Sequence, residues 1–189
     1  MSIAEFEAIP RQLGWDYTYE DGMAHITPRE DTVVEAVLTF TEPIPANGPS
    51  LTLRPPDPSR DEQALLDLYF IAFHNVFEFC DWPLEEILQQ AADDIAKVLK
   101  NFHPLATSIL EDTESGAMIG AMLIDEDGSA LRHLMIDPEW QRQGVATAML
   151  HHVTSTLLEK KTSLRSRYAI GNEPSREWHK RMGFAPIKD

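Results

Sequence analysis

Between Asp137 and Leu150 the chain reads DPEWQRQGVATAML, with Gln141, Arg142 and Gln143 set just ahead of Gly144, where apolar residues at helical spacing begin. The first amides of a helix starting there have no intrahelical partner and share the positive end of its dipole, so the turn is suited to an anion. Gly144 lets a bulky anion approach the backbone, and the small Ala146 clears the next position. One exposed contact with a helix end is worth only about 0.3–1 kcal/mol, so firm binding needs several amides converging on one group, as on a pyrophosphate. The same residues also fit a plain strand-to-helix loop with a glycine for turning.

Other reactive side chains read differently. His151 and His152 are adjacent, and neighbours on a helix diverge by about 100°, so they do not share a metal and no metal site is expected. The single cysteine, Cys80, excludes a disulfide framework and reads as a small buried hydrophobe. Arg165 and Arg167 alternate onto one face of a strand, where they are either solvated or able to reach a phosphate.

The elements that carry these residues follow from periodicity. AEFEAIPRQLGW suggests a short helix broken near Pro10, WDYTYEDGMAHIT a hairpin turning at Asp21 and Gly22, and TVVEAVLTF a third strand. TEPIPANGPS, with three prolines and a glycine, reads as a linker that divides an N-terminal extension, 1–50, from a main domain, 51–189. After it come a strand at LTLR, a helix opened by a capping box of Ser59 with Glu62, and a second helix from Pro83 that repeats Leu84, Ile87, Leu88, Ala91, Ile95 and Val98. ATSILED, AMIGAMLIDED and SALRHLMID read as a three-strand meander. A helix from about Gly144 to Lys160 buries Ala146, Met149, Leu150, Val153 and Leu157, and is followed by the strand SLRSRYAI, a helix from Pro174 to Met182 and a short strand at FAPI. That order makes an α/β fold of the α+β kind, a mixed and mostly antiparallel sheet flanked by helices.

Composition narrows the partners. A formal charge of −15 over 189 residues repels nucleic acid and anionic membrane surfaces, leaving neutral or cationic partners. No apolar run is long enough to span a bilayer and no signal-like N-terminus is present, so a cytoplasmic protein is expected.

Across Leu51 to Phe184 the chain resembles the GNAT superfamily of acyl-CoA-dependent N-acyltransferases. Gln141, Gly144 and Ala146 match that family's phosphate loop, and Asn172, Ser175, His179, Gly183 and Phe184 match its later motif. The resemblance implies acetyl-CoA as cosubstrate. The backbone of Leu134, Met135 and Ile136 would then lie along the pantetheine arm between two parting strands. The amides of Gln141, Arg142, Gln143, Gly144, Val145 and Ala146 would hold the pyrophosphate, with Asn172 and Ser175 approaching from the other side. His179 stands where many members have tyrosine and looks like the phosphinothricin-type acetyltransferases, which makes it the expected general acid toward the departing thiolate. The implied activity is direct N-acetylation of a small amine or amino acid. A non-catalytic acyl-CoA-binding module and a protein side-chain acetyltransferase are the alternatives.

One departure from the family concerns the base. Where its members commonly have a carboxylate before the phosphate turn, this chain has Ala130, Leu131 and Arg132. Replacements are Glu126 and Asp127 acting through water, His133 if the strand carries a bulge, and His74, Glu78 and Asp81 between the first two helices of the main domain. With no evident base, α-amines near pKa ~8 are expected to be preferred over lysine-like amines near ~10.4. Close after Phe184 the family's next strand is missing, which leaves a sheet edge for the N-terminal strands, or a second copy in a homodimer, to cover.

Overall fold

Alternation, caps and turn glycines set the elements of the computed structural model, which describes residues 1–10, 15–28, 32–46, 48, 49, 51–74, 76, 79 and 82–187. The N-terminal segment gives α1 (Ile3–Glu7) and a hairpin of β1 (Trp15–Glu20) with β2 (Met23–Pro28), turned by Asp21 and Gly22 at positive φ. β3 (Val33–Thr39) follows. Beyond the proline-rich stretch come β4 (Leu53–Arg54), α2 (Pro58–Phe73), α3 (Leu84–Lys100), β5 (Ser108–Glu111), β6 (Met118–Ile124) and β7 (Leu131–Ile136). α4 (Val145–Leu157), β8 (Ser163–Ala169), α5 (Glu173–Met182) and β9 (Ala185–Pro186) complete the chain.

β4, β5, β6 and β7 form an antiparallel sheet in that order. Both faces are covered, which is why β6 is nearly continuously apolar rather than alternating with polar residues. Met122 and Ile124 turn toward α4, joining Met149, Leu150 and Val153, while Ala121 and Leu123 turn toward Leu65, Leu68 and Ile95 of α2 and α3.

Three sequence expectations need correction. α2 is capped by Asp57, which accepts the Ser59 amide at 3.0 Å, with Pro58 in its first turn, so no box of Ser59 and Glu62 forms. Asp57 wins because Pro58, lacking an N–H, fits the first helical position. In α3 the buried face is Ile87, Ala91, Ile95 and Val98, and Leu84 and Leu88 are exposed. Ala146 shares the face of Met149 and Val153 and packs against the same core, but it is only partly buried, because it lies in the first turn of α4, which begins at Val145.

β3 reaches into the other sheet, of order β8-β3-β9. It pairs antiparallel with β8, Leu38 opposite Leu164, and with β9, Val37 opposite Ala185. Its Ala36 and Leu38, with Phe40 beyond them, are buried in the α4 core. The edge beside β9 exposed by the sequence is thus filled by the protein's own N-terminal strand.

An ion-pair network ties the start of α2 to the sheet. Arg54 binds Asp61 through both terminal nitrogens, at 2.6 and 2.9 Å, and reaches Glu111 of β5; Arg60 and the Asp57 amide also donate to Asp61. Burial raises the Asp61 carboxyl, but the hydrogen bonds from Arg54, Asp57 and Arg60 together outweigh it and hold it at about 2. A depressed folded-state value stabilises above the unfolded value, near ~3.9, and that stabilisation is lost as pH falls through the folded value. Asp61→Asn is expected to cost about 3 kcal/mol, the lower end for breaking a buried pair because Arg54 keeps some solvent contact. Denaturant unfolding at pH 7 and near pH 2 checks this, since the difference between wild type and variant should shrink at the lower pH.

Candidate active site

β7 is the outer strand of its sheet, and hydrogen-bond alternation decides which backbone groups it leaves open. The Asp137 amide donates to Ile119 O at 3.0 Å, which marks that pair as hydrogen-bonded; Ala121 with Met135 is then the next bonded pair, and Leu134 and Ile136 turn their N–H and C=O groups outward. Gln141 Nε2 donates to the outward Ile136 carbonyl at 3.0 Å, while Leu134 stays open. The side chains take opposite sides: Met135 is buried on the α2/α3 face, while Ile136, buried, and Leu134, partly buried, pack on the α4 face.

β8 runs parallel to β7 but meets it only at a bridge between Ala130 and Arg165, where the Arg165 amide donates to Ser129 O at 2.8 Å. Beyond that point the described residues show no further pairing, and the strands part. The register of β6 and β7 shifts between the pairs Leu123–His133 and Ile124–Leu131, so Arg132 is the extra residue of a bulge.

After β7, Asp137 accepts the Glu139 amide and opens a short turn, Pro138–Trp140. Arg142 at φ 59° and Gly144 at φ 84° then adopt the left-handed conformation that swings the chain into α4. The Gln141 amide makes one long contact, 3.4 Å to Pro138 O, and the Gln143 side chain returns to Glu139 O at 2.8 Å. Among the described residues, the amides of Arg142, Gln143, Gly144, Val145, Ala146 and Thr147 have no acceptor; the first bonded helical amide is Ala148, to Gly144 O. Six unmet donors at one helix end, two of them next to left-handed residues, form an anion-binding concavity. Gly48, from the proline-rich stretch, packs so close that a Cβ there would sit 2.6 Å from Gly144 O.

The late motif does structural work first. Asn172 is buried and caps α5, its Oδ1 accepting the Ser175 amide at 3.1 Å. His179, 5% exposed, lies among Tyr168, Trp178 and Phe184. Its Nδ1 donates to Ser175 O at 2.8 Å, since a carbonyl can only accept, so in the neutral ring Nε2 accepts from Ser166 Oγ at 2.8 Å. Burial lowers the pKa of His179, and the Ser175 carbonyl offsets this only in part. Both nitrogens are engaged within the protein, so His179 reaches the gap between the strands only through Ser166.

Of the candidate bases, His133 shares the α2/α3 face with Met135 by strand alternation, and the bulge turns Leu131 to the α4 face instead. The His133 ring is edge-on to Tyr69 at 5.7 Å between centroids, with Nε2 3.9 Å from Asp94 Oδ2, and Tyr69 donates to that same carboxylate oxygen at 3.1 Å. Burial lowers the His133 pKa, Asp94 counteracts it, and Arg132 and Arg167 add to the lowering. Asp94 and Tyr69 escaped the sequence reading because each follows its helical face as an ordinary residue, and their meeting depends on how α2 and α3 cross. His74 donates through Nδ1 to Phe70 O, and Glu126 is exposed in a turn. Asp127 is held at about 2 chiefly by the Ser129 side chain, then the Ser129 amide, which makes it a poor proton acceptor. Glu78, Asp81 and Cys80 lie outside the described residues. His151 and His152 point to different carbonyls, of Ile44 and Leu105. Among the described residues, no group of three or more metal-ligating side chains occurs and no helix is long and apolar enough to cross a membrane.

The profile of the acetyltransferase (GNAT) family matches residues 63–184. No curated protein matches the chain. Among solved structures, a GCN5-related N-acetyltransferase from Sphaerobacter thermophilus is similar at 19% identity and a TM-score of 0.58, over 82% of this chain and 48% of that one. The present chain therefore spans about half of that relative's length. The PaiA N-acetyltransferase of Thermoplasma acidophilum, in complex with coenzyme A, is similar at 14% identity and a TM-score of 0.56, over 75% of this chain and 92% of that one. AAC(6')-Iy, in complex with a bisubstrate analogue of coenzyme A and acetylneamine, is similar at 14% identity and a TM-score of 0.51, over 75% of this chain and 95% of that one. At these identities the likeness is one of fold.

Proposed function

Because the chain belongs to the GNAT acetyltransferase family, we propose that it moves an acetyl group from acetyl-CoA directly onto the amine of a small molecule or amino acid. The observation that carries this reading is the run of six acceptor-free amides from Arg142 to Thr147, at the end of a strand whose Leu134 backbone faces an open gap. Those amides suit a pyrophosphate, and the Leu134 edge suits the amide groups of a pantetheine arm. Bound so, acetyl-CoA supplies a thioester carbonyl as the electrophile.

His133 is the base of this reading. The amine nitrogen attacks the carbonyl carbon, its proton passes to His133, and Asp94 steadies the imidazolium that results. The thiolate leaves and takes a proton from Ser166, which His179, when protonated at Nε2, replenishes. Burial disfavours that protonated form, so this route strengthens as pH falls.

A base held below its ordinary value near 6.5 favours weakly basic amines. Moving a proton to it from a lysine-like ammonium near ~10.4 is uphill by about 5 kcal/mol, and from an α-ammonium near ~8 by about 2 kcal/mol. His133→Gln is expected to lower kcat by about a hundredfold or more while leaving the affinity for acetyl-CoA unchanged. In the wild type, kcat should fall on the acid side with an inflection below the ordinary histidine value, and this limb should vanish in the variant. Thiol release across an amine library, with coenzyme A binding measured in parallel, tests the whole reading. Binding without turnover on any amine supports the non-catalytic module instead.

A further inference from the structure

Around the point where β7 and β8 part there is a cavity of about 450 Å3, walled by Arg132, Arg165 and Arg167 together with Glu35 and Asp125. Strand alternation built it: Leu164 and Ser166 turn into the core, and Arg165 and Arg167 turn outward to the other face. Arg132 is already matched, with Nη2 3.1 Å from Asp125 Oδ2. Arg165 and Arg167 have no ion pair among the described residues, although Glu35 stands directly opposite Arg167 in the strand pair. In a chain with 31 acidic and 16 basic residues, two neighbouring arginines with no ion pair among the described residues run against the composition.

We propose that this cavity binds the acceptor through an anionic group, so that the substrate is an amine that also carries a carboxylate or similarly compact anion held by Arg165 and Arg167. The inference rests on the acetyltransferase reading and specifies its substrate. Residues two apart on a strand lie about 7 Å from each other on one face, and planar guanidinium groups at that spacing can converge on a single carboxylate, each offering paired donors. The position suits an acceptor, since Arg167 is near enough to His133 for its charge to oppose protonation there. A cofactor phosphate fits less well. The acceptor-free amides follow the far end of β7, and its six residues separate them from the Ala130–Arg165 bridge by about 20 Å.

The test compares glycine, L-alanine, L-aspartate and L-glutamate with their carboxamides, on the wild type and on R165Q, R167Q and the double variant. Both arginines are exposed, so these changes leave the core intact. Thiol release and direct binding to the coenzyme A-loaded protein are measured. For at least one carboxylate, kcat/KM and affinity are expected to fall about ten- to a hundredfold per arginine, the size of a lost hydrogen bond to a charged group. The matching carboxamide and coenzyme A should be unaffected. Equal losses for carboxylate and carboxamide overturn the proposal, as does a wild type that binds none of the carboxylates. Weaker binding of coenzyme A but not of dephospho-coenzyme A in the variants overturns it too, and assigns the arginines to the cofactor's 3'-phosphate. If coenzyme A does not bind the wild type, the acetyltransferase reading fails. The carboxylates are then titrated onto the free protein, where undiminished binding in the double variant overturns the anion site separately.

Discussion

Deleting residues 1–45 is expected to abolish folding, not merely to trim an appendage. The cut removes β3 from between β8 and β9, and with it the backbone partners of every β8 residue from Ser163 to Ala169. It also empties the core positions of Ala36, Leu38 and Phe40, which are 0, 2 and 4% exposed. Burying one such large side chain contributes about 1.5–3 kcal/mol, and the cavities left behind add to the loss. Two of them plus seven unpaired strand residues approach the whole of a domain's usual net stability, about 5–15 kcal/mol. Circular dichroism and thermal melting of the truncated chain decide the matter. A soluble product with a cooperative transition near that of the wild type would show that β3 is dispensable.

β3 marks where the sequence stopped being informative. TVVEAVLTF announced a strand by its β-branched residues, but no local feature says which edge a strand will join. Pairing depends on where β8 and β9 end up, and those are more than 120 residues away. The phosphate turn is the opposite case, since a proline corner, a glycine and an apolar helix are all written within fourteen residues. His133 lies between these extremes. Its side follows from alternation with Met135 and needs no bulge; the bulge that turns Leu131 to the other face was not legible, because it is a mismatch between two strands and neither strand encodes it alone. Asp94 and Tyr69 could not be anticipated, being brought to His133 by the crossing of two helices. Asn172 and His179 were legible as a motif, yet their side chains are committed to capping α5 and holding Ser166, contacts that residue spacing does not reveal.

Replacing Gly144 tests the phosphate turn and the acetyl-CoA reading together, and two substitutions separate the backbone's needs from the ligand's. At φ 84° a β-branched residue is strained, so Gly144→Val should cost about 1–3 kcal/mol of stability whatever binds nearby. Gly144→Asn tolerates the left-handed conformation and keeps a good helix-capping residue, so its stability should stay close to that of the wild type. Both place a side chain among the open amides of Arg142 to Thr147. If that keeps the pyrophosphate from two charge-assisted hydrogen bonds of about 1.5 kcal/mol each, the affinity for coenzyme A falls about 150-fold in either variant. Calorimetric titration with coenzyme A, beside thermal melting, reads the two effects independently. An asparagine variant that binds coenzyme A as the wild type does would mean that the pyrophosphate is not held by these amides. A valine variant that loses stability and no affinity would say the same, and would leave Gly144 as a residue for turning the chain.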